Sequence, residues 1–139
     1  MGHGGDEIMD DLIKILTIDD EDTVQSILAA FINRYLGEKG VQSSIKTLND
    51  PVQGLFELTT QGEQYSVILL DVRLPKLTGD EIYSSLIHVN PELLERVIFV
   101  TGYPDDLTER FSDMNLKILQ KPFRYQDFTE KLNTILKLD

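Results

Sequence analysis

Four short apolar segments of the sequence each end in a polar residue whose type is suited to handling a phosphate group. In chain order these residues are the pair Asp19-Asp20, then Asp71, Thr101 and Lys121. If the segments are parallel strands of one sheet, their carboxyl ends lie side by side at the edge where open α/β sheets bind ligands. The sequence therefore predicts one site that holds three carboxylates, a hydroxyl and an ammonium group.

The three carboxylates of this site need a positive partner. Two like charges about 4 Å apart repel by roughly 4 kcal/mol at an effective dielectric near 20, and only protonation or a cation relieves this. Oxygen ligands in a chain without cysteine favour a hard ion. Mg²⁺ typically takes one or two carboxylates together with water and phosphate oxygens. We therefore expect Mg²⁺ at this site, completed by a phosphoryl group.

Asp71 has the chemistry of a carboxylate nucleophile that forms an acyl phosphate. Thr101 and Lys121 would then hold the phosphoryl oxygens, one by a hydrogen bond and the other by charge. Each residue alone has a plainer interpretation: Asp20 or Asp22 could cap the next helix, Thr101 could be a loop hydroxyl and Lys121 a solvated charge. Their joint placement at successive strand ends favours the functional interpretation.

Strand-like and helix-like segments alternate along the chain, which is typical of repeated βα units and a parallel sheet. The predicted strands are Ile13–Ile18, Val41–Leu48, Val67–Leu70, Val97–Val100 and Leu116–Gln120. A helix follows each strand, marked by apolar residues at helical spacing such as Val24 and Phe31, Val52 and Phe56, Ile82 and Leu86, Leu107 and Phe111, and Phe128 and Leu132. The fold class is α/β: a (βα)5 doubly wound, five-stranded parallel sheet in the order 2-1-3-4-5.

Local signals mark several element boundaries. Asp50 and Pro51 supply a cap and a first-turn proline for the second helix. In the loop after the third strand, Gly79 is expected to permit unusual backbone angles. The helix that begins near Tyr103-Pro104 has the weakest apolar pattern, and we expect it to be short.

The composition indicates a single soluble globular domain. The chain has 139 residues, of which 41% are hydrophobic and 27% charged, and no apolar run is long enough to span a bilayer. The net charge of −11 disfavours direct binding to nucleic acid or to an anionic membrane. The absence of cysteine fits a reducing compartment, for which we expect the cytoplasm. We expect residues 1–11 to form a flexible N-terminal arm and residues 12–139 the domain.

Four segments match one known family together and in order: Ile15–Glu21, Val67–Pro75 with Gly79, Val97–Gly102 and Lys121–Phe123. Over roughly Leu12 to Leu138 the sequence resembles the receiver domain of bacterial two-component response regulators, which has a flavodoxin-like fold. The resemblance implies a signalling protein and not a turnover enzyme. Residues 12–139 would be the receiver domain.

The resemblance implies that Asp71 accepts a phosphoryl group from a sensor histidine kinase or a phosphotransfer protein. It also implies that Asp20, Asp71 and the backbone carbonyl of Arg73 bind Mg²⁺ directly, while Asp19 helps through water. Thr101 and Lys121 would contact the phosphoryl group.

By the same resemblance, the Lys121-Pro122 peptide is usually cis, and phosphorylation reshapes the surface of the fourth helix, fifth strand and fifth helix for a downstream effector domain or protein. Ile118 stands where many receivers carry an aromatic switch residue, so we expect a different output face. Arg73 and Tyr103 occupy positions that influence the lifetime of the acyl phosphate. A homodimer is left open.

Two rival functions share some of these features. A phosphatase of the haloacid-dehalogenase type also uses an aspartyl nucleophile, a hydroxyl, a lysine and paired acids around Mg²⁺. Its nucleophile lies on the first motif with an acid two residues later, whereas here Asp71 follows the acid pair and Arg73 stands at that place. The other rival is a receiver-like interaction module that signals without phosphate, which the full set of polar residues disfavours.

Overall fold

The structure of the protein, a computed structural model, describes residues 12–138. Five strands and five α-helices alternate along this part of the chain, and two short 3-10 helices, Gly62–Gln64 and Pro91–Arg96, precede β3 and β4. The strands are β1 (Ile13–Ile18), β2 (Ser43–Leu48), β3 (Val67–Leu70), β4 (Val97–Thr101) and β5 (Lys117–Gln120). The helices are α1 (Asp22–Glu38), α2 (Pro51–Gln61), α3 (Gly79–Val89), α4 (Asp105–Arg110) and α5 (Tyr125–Leu136). The expected N-terminal arm, residues 1–11, and the last residue lie outside the described residues.

All four strand pairings are parallel, and the sheet order is β2-β1-β3-β4-β5, which confirms the predicted topology. The register pairs Ile18, the last residue of β1, with Leu70, the last residue of β3. Asp19 and Asp71 therefore follow two residues that are neighbours across the centre of the sheet. The topology alone brings these two carboxylates together.

Helices cover both faces of the sheet, so its central strands are buried throughout. Every residue of β3 and of β4 is buried. One face packs against α2, α3 and α4, whose core side chains include Leu58, Ile82, Leu86 and Leu107. The other packs against α1 and α5, with Leu28, Ile32, Phe128 and Leu132. Strands buried on both faces have continuous apolar sequences, which is why the sequence predicted β3 and β4.

The second strand begins two residues later than predicted, at Ser43 instead of Val41. The backbone N–H of Val41 donates to the carbonyl of Leu36, so Val41 belongs to the turn that closes α1. Gly40 takes a φ of 69° in that turn, a conformation that favours glycine. As expected, α4 is short, and within residues 12–138 no helix is long and apolar enough to cross a membrane.

The apolar pattern predicted the existence of α2 but not its buried face. Val52 and Phe56 are 54% and 66% exposed, whereas Gly54 and Leu58 are buried. A side chain at Gly54 would place its Cβ 2.8 Å from Cδ1 of Ile18. The helix packs closely on β1 through a glycine, so the largest apolar residues of this segment do not mark its inner face.

The prediction that Gly79 supplies an unusual backbone angle is wrong. The residue with positive φ in this loop is Lys76, at 71°. Gly79 is needed for space, because a Cβ there would overlap the carbonyl oxygen of Asp71. Its N–H also donates to the carbonyl of Val72 at 2.8 Å. Glycine thus lets the first turn of α3 pack directly on the chain that follows β3.

We expect Gly79→Ala to lower the free energy of unfolding by about 2 kcal/mol or more, because the new methyl group overlaps backbone that has no free rotation. Gly37→Ala is the matched control, since a Cβ there meets no atom within 4 Å and the substitution lies in α1. Urea unfolding of the two variants and the wild type measures the difference. A Gly79→Ala protein as stable as the wild type would contradict the close packing.

Candidate acidic site at the carboxyl edge of the sheet

Three of the predicted site residues form one carboxylate cluster. Asp19 and Asp20 directly follow β1, and Asp71 directly follows β3. Asp19, Asp20 and Asp71 each offer a carboxylate oxygen, and these oxygens lie within 4.8 Å of one another. Asp19 and Asp71 are buried, whereas Asp20 is exposed. The cluster therefore combines two buried carboxylates with one that is open to solvent.

Lys121 reaches this cluster from the end of β5. Its Nζ lies 3.2 Å from Oδ2 of Asp19, 3.1 Å from Oε1 of Glu21 and 3.7 Å from Oδ1 of Asp71. The backbone anchors the lysine as well, since its N–H donates to the carbonyl of Thr101 at 2.8 Å. The Lys121-Pro122 peptide is cis, as the resemblance implied. A single ammonium group is thus shared among three carboxylates.

Burial and crowding change the proton affinities in the cluster. Burial raises the pKa of Asp71 to about 6, and the charge of Asp19 adds to this effect while Lys121 opposes it. Burial also raises the pKa of Asp19, against a hydrogen bond from the N–H of Glu21 and the charge of Lys121. For Lys121, burial favours the neutral form, but the charges of Asp71 and Asp19 and the hydrogen bonds to Glu21 and Asp19 together outweigh it and raise the pKa of the ammonium group. The lysine stays charged, and the cluster keeps an excess of negative charge.

The donor set of this cluster fits a hard divalent cation. It offers three carboxylate oxygens within reach of one point, with no sulfur or imidazole ligand among them. The pKa of Asp71 is raised mainly by burial and then by the charge of Asp19, so a bound cation would favour its ionised form. Arg73, whose backbone carbonyl is a predicted ligand, lines the same cleft as Asp20.

Thr101 is fully buried at the end of β4, the strand beside β3. Its Oγ1 accepts a hydrogen bond of 2.9 Å from the N–H of Tyr103, so the plainer interpretation of a loop hydroxyl describes part of its role. A hydroxyl that accepts one bond still has its proton to donate. Thr101 is therefore placed at the same edge as Asp71 with donor capacity remaining.

Arg73 and Tyr103 stack on each other above the loops that flank the cluster. The guanidinium carbon of Arg73 lies 3.5 Å from the ring centroid of Tyr103, and its Nε lies 3.0 Å from Oδ2 of Asp106. The stack joins the loop after β3 to the loop after β4 and to the first turn of α4. Both side chains are more than half exposed. The two positions singled out in the sequence analysis thus act as a pair.

The structure also places Ile118 and the residues at the start of α1. Ile118 is half buried in β5 and packs against the core cluster on the face of α2, α3 and α4. The alternative that Asp20 or Asp22 caps α1 is wrong, because the N-cap residue is Glu21, which makes no side-chain capping bond, and Asp22 already lies in the first turn. The acids after β1 are therefore available for other contacts.

Glu21 contacts the cluster although the sequence analysis assigned it no role. Its side chain is 61% exposed and pairs with Lys121, while its N–H donates to Oδ1 of Asp19 at 2.8 Å. The available signal was the run of four acids from Asp19 to Asp22. Acids at a helix start also stabilise the helix dipole, so residue type alone did not separate the two roles.

Comparisons with known proteins identify the family of the chain. The model of the response regulator receiver domain family matches residues 15–133. An uncharacterized response regulatory protein of Vibrio cholerae is 27% identical over 126 residues, which cover 91% of this chain and 49% of the relative. The transcriptional regulatory protein PcoR of Escherichia coli is 30% identical over 127 residues, covering 89% and 51%. The chain spans about half the length of these relatives.

Solved structures agree with this match in fold. The receiver domain of a sensor histidine kinase from Pseudomonas aeruginosa PAO1, solved with a magnesium ion in its active site cleft, has a TM-score of 0.72 at 21% identity and covers 90% of this chain and 98% of its own. A response regulator receiver domain protein of Clostridium thermocellum has a TM-score of 0.71 at 27% identity, covering 90% and 94%. The family match over most of the chain, on a sheet of the same topology, shows that this chain belongs to the response regulator receiver domain family.

Proposed function

We propose that the chain is a phosphoacceptor and that Asp71 takes the phosphoryl group. The observation that carries this proposal is the position of Asp71 between a buried carboxylate and Lys121, whose ammonium nitrogen lies 3.7 Å from the Asp71 oxygen. The carboxylate is available as a nucleophile and the ammonium group is available to hold phosphoryl oxygens. Membership of the receiver domain family supports the same role.

The proposed reaction is one phosphoryl transfer. A carboxylate oxygen of Asp71 attacks phosphorus and forms an O–P bond, while the bond between phosphorus and the donor breaks. When the donor is a phosphohistidine, the P–N bond breaks and the imidazole leaves with a proton from solvent. Lys121 and the hydroxyl of Thr101 would hold the transferred oxygens. The loss of Asp71 alone should therefore abolish acceptance.

We propose Mg²⁺ as the cofactor of this site. Asp20, Asp71 and the backbone carbonyl of Arg73 would bind the ion directly, and Asp19 would help through water. The ion would supply positive charge that offsets the excess of carboxylates and polarises a phosphoryl oxygen. The carboxylate donor set supports this, as does the magnesium ion in the cleft of the Pseudomonas receiver domain.

We propose a signalling role in place of substrate turnover. The phosphodonor would be a sensor histidine kinase or a phosphotransfer protein, and the partner that responds to phosphorylation would be a downstream effector domain or protein. Residues 12–139 would form this domain, and the expected compartment is the cytoplasm. The strongly negative charge disfavours nucleic acid as a direct partner.

The rival functions are less well supported by the contacts. A haloacid-dehalogenase-type phosphatase needs a free acid two residues after its nucleophile, but Arg73 occupies this position and is paired with Asp106. A module that signals without phosphate has no need for a half-buried lysine beside two buried carboxylates. Such a cluster is costly to keep unless it binds something.

The first of the three predictions made from this proposal tests the function itself. Incubation of the protein with a small phosphodonor and Mg²⁺ should add one phosphoryl group, measured by intact mass, and Asp71→Asn should remain unlabelled. Asp113→Asn is the matched control, since it removes an exposed aspartate from the loop after α4 and should be labelled normally. An unlabelled wild type, or equal labelling of Asp71→Asn, would contradict the proposal, and continuous release of phosphate from an ester would favour a phosphatase.

The second prediction concerns the pH dependence of metal binding. Because the pKa of Asp71 is about 6, a cation must displace a proton from this residue at lower pH. The apparent affinity for Mg²⁺ should therefore be constant above pH 7 and fall by up to about tenfold per pH unit below pH 6. Calorimetric titration with Mg²⁺ alone measures this. Asp71→Asn should bind more weakly and lose most of the pH dependence, and an unchanged affinity between pH 7 and pH 5 would argue against ligation by Asp71.

The third prediction concerns the lifetime of the acyl phosphate. We propose that the stacked side chains of Arg73 and Tyr103 limit the approach of water to the phosphoryl group. Arg73→Ala and Tyr103→Ala should each speed hydrolysis, on the order of 2- to 10-fold, which corresponds to a small change in barrier. Asp106→Asn keeps both stacked groups and removes only the ion pair, so its effect should be smaller. Loss of label followed by intact mass measures the rates, and a double Ala variant with the wild-type lifetime would exclude shielding.

A further inference from the structure

Lys121 makes its shortest contact in the cluster with a residue that the proposed reaction does not use. Its Nζ lies 3.1 Å from Oε1 of Glu21, compared with 3.7 Å from the oxygen of Asp71. Glu21 and Asp19 each accept a hydrogen bond from the ammonium group, whereas the Asp71 contact is longer than a hydrogen bond. In the unphosphorylated protein, the lysine is therefore engaged away from the nucleophile.

The side chain of Glu21 is free to have a role of this kind. It makes no capping bond at the start of α1, and it is 61% exposed, so the contact is not imposed by burial. The backbone N–H of Glu21, which holds Asp19, is independent of the side chain. A change of the side chain can therefore alter the contact with Lys121 and leave the fold and Asp19 in place.

The ammonium group of Lys121 has three protons to share among its acceptors. A phosphoryl group on Asp71 brings new anionic oxygens, and Lys121 must turn toward them to stabilise the charge of the transfer. Asp19 and Glu21 take two of these protons while Nζ stays 3.7 Å from Oδ1 of Asp71, so a close contact with the new oxygens would require the ammonium group to shift away from Glu21. The pair with Glu21 would thus be weakened or lost in the phosphorylated state, and its strength would oppose the transfer.

We infer that Glu21 is a positioning residue that holds Lys121 in its unphosphorylated position and thereby slows phosphorylation of Asp71. The inference rests on the proposed phosphoacceptor function and adds to it a regulation of the same site. Glu21 touches neither the phosphoryl group nor the nucleophile and acts only through Lys121. It should therefore change the rate at which the phosphoryl group is gained and leave the rate of its loss unchanged, because the Glu21 contact would already be broken in the phosphorylated protein.

The experiment compares Glu21→Gln with the wild type at saturating Mg²⁺, with a small phosphodonor and intact mass as the readout. Glutamine keeps the shape of the side chain and removes its charge. We expect phosphorylation about 2- to 5-fold faster than in the wild type, which is the range for loss of a partly exposed ion pair, and hydrolysis at the wild-type rate. Glu21→Asp, which keeps the charge on a shorter side chain, should lie between the two proteins.

Asp22→Asn is the charge-matched control. Asp22 lies beside Glu21 in the sequence and is exposed, and the ion pairs of Lys121 are with Asp19, Glu21 and Asp71. If Glu21 acts by contact, Asp22→Asn should phosphorylate at the wild-type rate. An equal acceleration in Asp22→Asn would show that the general negative field repels the donor, and it would overturn the inference.

A double-mutant cycle with Lys121→Met tests whether the effect passes through the lysine. The increase in phosphorylation rate that Glu21→Gln causes should disappear in the Lys121→Met background. An equal increase in the phosphorylation rate in both backgrounds overturns the inference. A Glu21→Gln protein in which the rates of phosphorylation and of hydrolysis both change overturns it as well. If the wild type accepts a phosphoryl group on Asp71 but Glu21→Gln matches it, only this inference fails. If the wild type accepts none, the proposed function fails and the inference fails with it.

Discussion

The structure depends on one constraint: more negative than positive charge is held at the buried carboxyl edge of the sheet. Asp19 and Asp71 are almost fully buried, Asp20 is close to them, and Lys121 is the cation within this cluster. A pKa of about 6 for Asp71, against an ordinary value of 3.8, means that burial and the neighbouring charges make its ionised form costlier in the fold by about 3 kcal/mol unless a cation is bound. Because the folded state binds this proton more tightly than the unfolded chain, the cost is absent below pH 4 and grows as the pH rises through 6. The fold accepts a loss of stability at neutral pH to keep this site.

The packing of the sheet holds the carboxylates of this cluster together despite their mutual repulsion. Its central strands are buried on both faces, so the positions of their ends are fixed by packing and by the parallel register that sets Ile18 beside Leu70. Gly79 then lets α3 close over the chain after β3 without displacing Asp71. The side chains that would repel one another are thus held together by apolar contacts elsewhere. A rigid support of this kind is needed wherever charged groups are preorganised for a reaction.

The sequence predicted the features that depend on strand order and residue type, and it missed those that depend on close packing. Parallel strands must bring Asp71 and Lys121 to one edge, so the site followed once the alternation of elements was recognised. The buried face of α2 could not be predicted from Val52 and Phe56, because a glycine contact with Ile18 sets the orientation of the helix. The role of Gly79 was misjudged for the same reason. A glycine in the sequence indicates conformational freedom, but it does not show that the carbonyl oxygen of Asp71 lies against this residue. Glu21 was missed because an acid at a helix start also stabilises the helix dipole, so its residue type did not reveal the contact with Lys121.

The loops that border the cluster also hold the short helix α4. Arg73 pairs with Asp106 in the first turn of α4, and Arg110 in its last turn pairs with Asp80 at the start of α3. Leu107 in this helix and Phe111 at its C-cap are buried, and Phe111 packs edge-on against Tyr83 of α3, so apolar contacts and ion pairs together attach α4. Partly exposed ion pairs are worth little individually and exchange partners readily. Under the proposed phosphorylation of Asp71, a new charge beside Arg73 would compete with Asp106 for the guanidinium group, and this ion pair is a direct link between the loop after Asp71 and α4.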